Sequence, residues 1–146
     1  MQFKKVILFC FFFLLLLSST VNAHRPVIVK NGNTKENPFK VKEPEISYAY
    51  YSELEGSPHY YQIMSPKDFV LYINILIPDF YPKEEPITRH DMSFQILIED
   101  ESFFIAKGNQ YKWKRFYEKF GRDNYYLGPE FEQGVPAGTY IIKVFN

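Results

Sequence analysis

The sequence predicts an all-β fold, a small antiparallel β-sandwich of about seven short strands. Short runs rich in β-branched and aromatic residues recur along the chain, and Gly, Pro, Asn or Asp clusters separate them. Helical spacing of apolar residues is confined to one short stretch. No repeat or second domain is visible. These observations favour one domain with two packed sheets.

The first 23 residues resemble an export signal. Lys4 and Lys5 precede the apolar run Val6 to Leu17, and Val21 to Ala23 offers small residues at a cleavage site. The run is shorter than the roughly 20 residues that span a bilayer, so cleavage is favoured over a retained anchor. We therefore expect a secreted or envelope-exposed protein, which contacts a membrane only through this segment if it is uncleaved.

Cleavage after Ala23 would leave 146 − 23 = 123 residues without a thiol, because the only cysteine, Cys10, lies in the signal. Disulfides and thiolate sites are then excluded, so the fold depends on its hydrophobic core. Loss of Lys4 and Lys5 changes 17 basic and 17 acidic residues to 15 and 17, a formal charge of −2. This balanced surface indicates neither nucleic acid nor an anionic membrane as a partner.

The chain from residue 24 to 44 is predicted to be an extended lead-in, with a first edge strand at Pro26 to Lys30. A single sandwich domain is predicted over residues 45–146. Its first two strands, Ile46 to Leu54 and His59 to Met64, flank a turn and predict a hairpin.

The strongest strand pattern is Phe69 to Ile77, in which every odd position is apolar. Alternation with one wholly apolar face predicts a central strand over the core. The crossing from Asp79 to Asp91 contains prolines and is therefore not a helix interior.

Strand patterning resumes at Ser93 to Glu99 and Ser102 to Lys107. Aromatic spacing in Lys112 to Phe120 is compatible with one or two helical turns. A last β run covers Thr139 to Phe145, and an open edge there could pair with another chain.

Two segments carry a resemblance to a known family. In Tyr51 to Ile63 a Gly-containing turn precedes paired aromatics, and in Pro136 to Val144 the motif Ala-Gly-Thr-Tyr leads into a strand. Both are similar to the opening hairpin and late strand of the bacterial pre-peptidase C-terminal type of exported β-sandwich. The resemblance implies a non-catalytic accessory or binding module of unknown role. It does not supply calcium ligands residue by residue.

Trp113 to Glu130 is the predicted functional stretch, because it mixes the only tryptophan, two phenylalanines and three tyrosines with charged residues. We expect turns at Gly121 and at Gly128-Pro129 to hold these side chains on a surface. The candidate ligand-binding residues are Trp113, Tyr117, Asp123, Tyr125, Tyr126 and Glu130.

A carbohydrate-binding module is one interpretation, since the rings of this stretch and of Tyr111 could stack on sugars while Asp123 or Glu118 accepts hydroxyl protons. The competing interpretation is that the rings close one end of the sandwich, which the aromatic content of 19% favours. Calcium binding or glycoside chemistry would use the carboxylates. Their spacing matches no EF-hand or catalytic motif. The carboxylates concerned are Glu118, Asp123, Glu130 and Glu132.

Copper is a second alternative. A chain that begins at His24 could chelate copper through its α-amino group and ring nitrogen, with His59 or His90 as the next ligand, in a copper-binding or copper-oxidative protein. No nucleophile elbow, HExxH or phosphate loop is present. The prediction is thus a non-catalytic binding or structural module without a cofactor, whose partner is a glycan or an extracellular protein.

Overall fold

The computed structural model describes residues 24–30, 33–80, 90–119 and 121–146. The predicted signal at 1–23 and most of the proline-rich crossing lie outside this range. The all-β class is confirmed, since the described residues form ten strands and a single 3₁₀ turn at Gly108–Gln110. The strands are β1 Arg25–Ile28, β2 Phe39–Lys40, β3 Tyr48–Tyr51, β4 His59–Ser65, β5 Phe69–Pro78, β6 Ser93–Ile98, β7 Glu101–Ala106, β8 Lys114–Glu118, β9 Asp123–Val135 and β10 Gly138–Phe145.

The strands form three sheets. A five-stranded sheet has the order β2-β4-β10-β6-β7, a three-stranded sheet has the order β5-β9-β8, and β1 pairs with β3. Pairing is antiparallel except for β1 with β3 and β2 with β4. The predicted antiparallel character is therefore confirmed for the three-stranded sheet and for every pair of the five-stranded sheet except β2 with β4.

The core lies between the five-stranded and three-stranded sheets. Phe104 of β7 packs on Phe131 of β9 with ring centroids 4.7 Å apart, and Phe69 of β5 meets Tyr140 of β10 at 5.7 Å. Phe94, in the middle of this core, is fully buried. Burial of apolar area between the two sheets is the main source of stability in a domain without disulfides.

The alternation predicted for Phe69 to Ile77 is confirmed, because Leu71 and Ile75 are buried whereas Val70 and Tyr72 are exposed. The prediction that it is a central strand is wrong. β5 pairs with β9 alone among the described residues and lies at the edge of its sheet. An apolar face requires only that one side of a strand is covered, and edge strands meet that condition too.

The hairpin predicted from Ile46 to Met64 is also wrong. β3 pairs in parallel with β1, and β4 pairs with β10 and β2. The connection between β3 and β4 carries the chain from one sheet to another rather than turning it back on itself. The lead-in at 24–44 contributes β1, as predicted, and also β2.

The last strand does not offer an open edge. β10 pairs with β4 from Gly138 to Val144 and with β6 from Ile141 to Phe145. It is the central strand of the five-stranded sheet, so the alternative in which its open edge pairs with another chain does not apply to this strand.

Candidate functional site

The stretch Trp113 to Glu130 folds largely as the β8–β9 hairpin. The predicted helical turns over Lys112 to Phe120 are wrong, because β8 pairs antiparallel with β9 along its whole length. Phe120 lies outside the described residues. In the turn, the amide of Gly121 donates a hydrogen bond to the Glu118 carboxylate, and Arg122 has a positive φ of 60°. The turn predicted at Gly121 is present, whereas the turn predicted at Gly128-Pro129 is wrong, because both residues lie within β9.

A β-bulge divides β9. Asn74 pairs with Glu130 and Leu76 with Leu127, so Gly128 and Pro129 together oppose a single residue of β5. Side chains normally alternate between the two faces of a strand, and the extra residue shifts this alternation by one. Odd-numbered positions point outward before the bulge and even-numbered positions after it. The outer face of the three-stranded sheet therefore has two parts.

Trp113 supports the bulge from inside. Its side chain is 3% exposed, and its indole N–H donates to the carbonyl oxygen of Gly108 at 2.9 Å. A Cβ on Gly128 would lie 2.2 Å from the indole ring. Only glycine fits at this position.

Two of the predicted ligand-binding residues are thus core residues. Trp113 and Tyr126 are both 3% exposed, so the prediction that they form a surface platform is wrong. For Trp113 and Tyr126, burial agrees with the competing interpretation, in which aromatic rings close one end of the sandwich. Tyr117 is 51% exposed, but it pairs with Asn124 and alternates away from Phe116, so it faces the other side of the hairpin.

The first part of the outer face, which we call the hairpin face, consists of Phe116, Glu118, Asp123 and Tyr125. Phe116 pairs with Tyr125 and Glu118 with Asp123, so two rings and two carboxylates are direct cross-strand neighbours. Phe116 is 42% exposed. The side chain of Tyr51 in β3 is close enough to Tyr125 to contribute to the rise in its pKa, so Tyr51 borders this face.

The hydroxyl group of Tyr125 is held in its neutral form. Burial, the hydrogen bond with Tyr51 and the nearby carboxylates together raise the pKa of Tyr125 to about 12. The hairpin face combines aromatic rings and a tyrosine hydroxyl with carboxylate acceptors of hydrogen bonds, and hydroxyl-rich ligands suit this combination.

The second part, which we call the edge face, consists of Val70, Tyr72 and Asn74 of β5 with Glu130 and Glu132 of β9. Tyr72 lies opposite Glu132 and Asn74 opposite Glu130. Burial, and then Glu130 and Glu132, raise the pKa of Tyr72. The predicted Glu130 therefore shares the outer face with Asp123 and Tyr125 but lies on the other side of the bulge, further along β9.

Sequence reasoning missed Tyr51, Tyr72 and Phe116 as surface residues. Phe116 carried a usable signal, because it stands two positions before Glu118 and strand alternation places both on one face. No comparable signal links Tyr51 to Tyr125, since they are distant in sequence and belong to different sheets.

The three histidines proposed as copper ligands have different neighbours. His24 hydrogen-bonds the Ser47 hydroxyl at 2.7 Å, and the buried His59 bonds Ser52 at 3.2 Å. The described residues contain no group of three or more His, Cys, Asp or Glu side chains able to hold a metal ion. The histidines and the carboxylates are therefore not gathered into such a site.

His90 instead belongs to the support of the hairpin. Its ring lies 4.8 Å from that of Trp113 and 5.1 Å from that of Tyr126, measured between centroids. Burial lowers the pKa of His90, and the charge of Asp91 opposes this in part. The guanidinium carbon of Arg115 lies 5.8 Å from the centroid of the Tyr126 ring. The same side chain forms an ion pair with Asp79, with 2.9 Å between Nε and Oδ2.

Comparisons with models of protein families, with curated proteins and with solved structures found no match. The resemblance to the pre-peptidase C-terminal type of domain stays a prediction. Among the described residues, no helix has the length and apolar character needed to cross a membrane.

Proposed function

We propose that the protein is an exported, non-catalytic binding module whose ligand lies on the hairpin face. The observation that supports this is the pairing of Phe116 with Tyr125 beside Glu118 and Asp123. The opposite side of the same hairpin is anchored by buried Trp113. A rigid support next to the exposed Phe116 ring and the half-buried Tyr125 ring keeps the entropy lost on binding small.

Carbohydrate is the ligand class that this arrangement favours. Aromatic faces cover the apolar faces of sugar rings, and carboxylates accept hydrogen bonds from sugar hydroxyls. Glu118 and Asp123 repel an anionic group placed beside them, whereas Lys114, two positions before Phe116 on β8, brings a positive charge to the same face. We therefore expect neutral oligosaccharides to be bound, and acidic groups to be disfavoured only where they would lie beside the two carboxylates.

The test uses a panel of immobilised neutral and anionic oligosaccharides, probed with protein recovered from the medium of an expressing cell. An intact mass for a chain that begins at His24 would support export and cleavage. We expect neutral glycans to retain the protein and Phe116→Ala to weaken binding about tenfold, equivalent to about 1.4 kcal/mol.

The matched control is Tyr72→Ala, because Tyr72 is 48% exposed on the same sheet but lies on the edge face. It should bind glycans as the wild type does, and thermal unfolding should show that both variants are folded. If the panel retains no protein, the carbohydrate class is wrong. Equal losses in both variants would contradict the hairpin face as the binding site.

A further inference from the structure

The outer edge of β5 is suited to accept another strand. β5 has ten residues and none of them is charged. In the part of the chain that the structure describes, it pairs only with β9, on one side. An edge strand of this length presents a row of unpaired N–H and C=O groups, and natural proteins usually protect such edges with charges, bulges or very short strands.

The side chains next to this edge indicate the chemistry of the incoming strand. Val70 is 60% exposed and Tyr72 48%, so both are accessible on the edge face. Glu130 and Glu132 lie one strand further in, opposite Asn74 and Tyr72. Within the described residues, neither carboxylate forms an ion pair. The edge face is therefore aromatic and negatively charged.

We propose that β5 binds an extended segment of a partner protein that carries lysine or arginine at alternate positions. Strand addition would place these cations on the edge face, over the Tyr72 ring and toward Glu130 and Glu132. Main-chain hydrogen bonds to β5 supply affinity, and the cations supply specificity. This inference concerns a different part of the sheet and does not rest on the proposed glycan site.

Charge complementarity distinguishes this partner from a second copy of the chain. A second β5 would satisfy the hydrogen bonds of the edge, but it carries no cation for Glu130 and Glu132. A new strand would lie about 4.8 Å from β5 and about twice that distance from β9. Only a long basic side chain lying across Tyr72 can approach the two carboxylates from there.

The probe is a ten-residue peptide of alternating threonine and lysine with blocked ends. The control peptide has glutamate in place of each lysine. Binding to the purified protein is measured by calorimetry at two salt concentrations. We expect only the basic peptide to bind. Its affinity should fall as the salt concentration rises, because salt screens part of the electrostatic attraction. Hydrogen exchange read by mass spectrometry should show new protection at residues 69–78.

The test variant is the double substitution Glu130→Gln and Glu132→Gln, which should lower affinity for the basic peptide at least about fivefold. The matched control is Glu99→Gln with Glu101→Gln, which changes the net charge equally on the β6–β7 hairpin of the other sheet. The control should keep wild-type affinity. Thermal unfolding should show both double variants folded.

Four outcomes would overturn the proposal. Equal binding of the basic and acidic peptides, or equal losses in both double variants, would show that charge at the edge face has no role. Protection outside 69–78 would place the peptide elsewhere. Amides of β5 that are already protected without peptide would mean that another segment or a second copy covers the edge.

Discussion

The two halves of β9 differ in which side chains they expose. From Asp123 to Leu127 the odd positions point outward, and from Glu130 to Val135 the even positions do. The inward positions Tyr126, Phe131 and Val135 are buried, although Gln133 near the end of the strand is exposed, and the bulge at Gly128-Pro129 separates the two halves. The difference shows that one inserted residue decides which carboxylates share a surface with which rings. It keeps Asp123, Tyr125, Glu130 and Glu132 on one outer face, in two chemically distinct parts, whereas unbroken alternation would place Glu130 on the opposite face from Tyr125.

The bulge also explains why the candidate residues were grouped wrongly. An unbroken alternation through the segment would place Tyr126 and Glu130 on one face. In the structure Tyr126 is buried and Glu130 is exposed. At this bulge the backbone of β9 lies close to the indole ring of Trp113. Gly128 allows this approach because it has no Cβ.

The largest effect is expected from Trp113→Ala, which removes the internal support of both halves. The lost ring would leave a cavity and free the Gly108 carbonyl, at a cost of about 3–5 kcal/mol in the free energy of unfolding. Denaturant unfolding measures this. Tyr117→Ala, at an exposed position of the same hairpin, should change stability by less than about 0.5 kcal/mol. If the two variants lose similar amounts of unfolding free energy, Trp113 does not lie in the core.

A smaller loss is expected from Gly128→Ala, which tests the bulge itself. The added Cβ would clash with the indole, and overpacking of this kind costs about 1–3 kcal/mol. Gly134→Ala is the control on the second half of β9, because a Cβ there meets nothing within 4 Å. The control should be neutral in the same unfolding experiment. If Gly128→Ala is equally neutral, the bulge and the indole are not in contact.

The smallest effect is expected in the pH dependence of the unfolding free energy. It depends on His90, whose ring packs against Trp113 and Tyr126 behind the first half of β9. The folded state holds the pKa of His90 below its ordinary value of 6.5, so it binds fewer protons than the unfolded chain. This contribution to stability is present above pH 6.5 and is lost as pH falls through the lowered pKa. The difference in unfolding free energy between wild type and His90→Gln should therefore shrink on acidification from pH 7.5 to 5. Parallel pH profiles would contradict a lowered pKa of the half-buried His90.

Much of the architecture could be predicted from the sequence. The runs at Phe69 to Ile77, Ser93 to Glu99, Ser102 to Lys107 and Thr139 to Phe145 all appear as strands, because their composition and alternation are local properties. The turn at Gly121 was predictable for the same reason. Strand partners were not, as the wrong hairpin at Ile46 to Met64 shows, since pairing depends on contacts that local patterns do not encode.

The candidate site was only partly predictable. The segment Trp113 to Glu130 stands out by composition, and Asp123, Tyr125 and Glu130 are on the surface. Which rings face inward depends on the bulge and on the sheet behind it. Helical spacing of the aromatics was misleading, because pairing with β9 outweighs weak local helical preference.

The sequence by itself determined the all-β class, most strand positions and the dependence on a hydrophobic core rather than on disulfides. These follow from residue composition, period-two alternation and the position of Cys10. The tertiary structure decided that β5 is an edge strand, that β10 is central, and that Trp113 lies under the hairpin rather than on it. Alternation tells whether a strand has a buried face, whereas the order of strands and the phase after a bulge depend on long-range pairing.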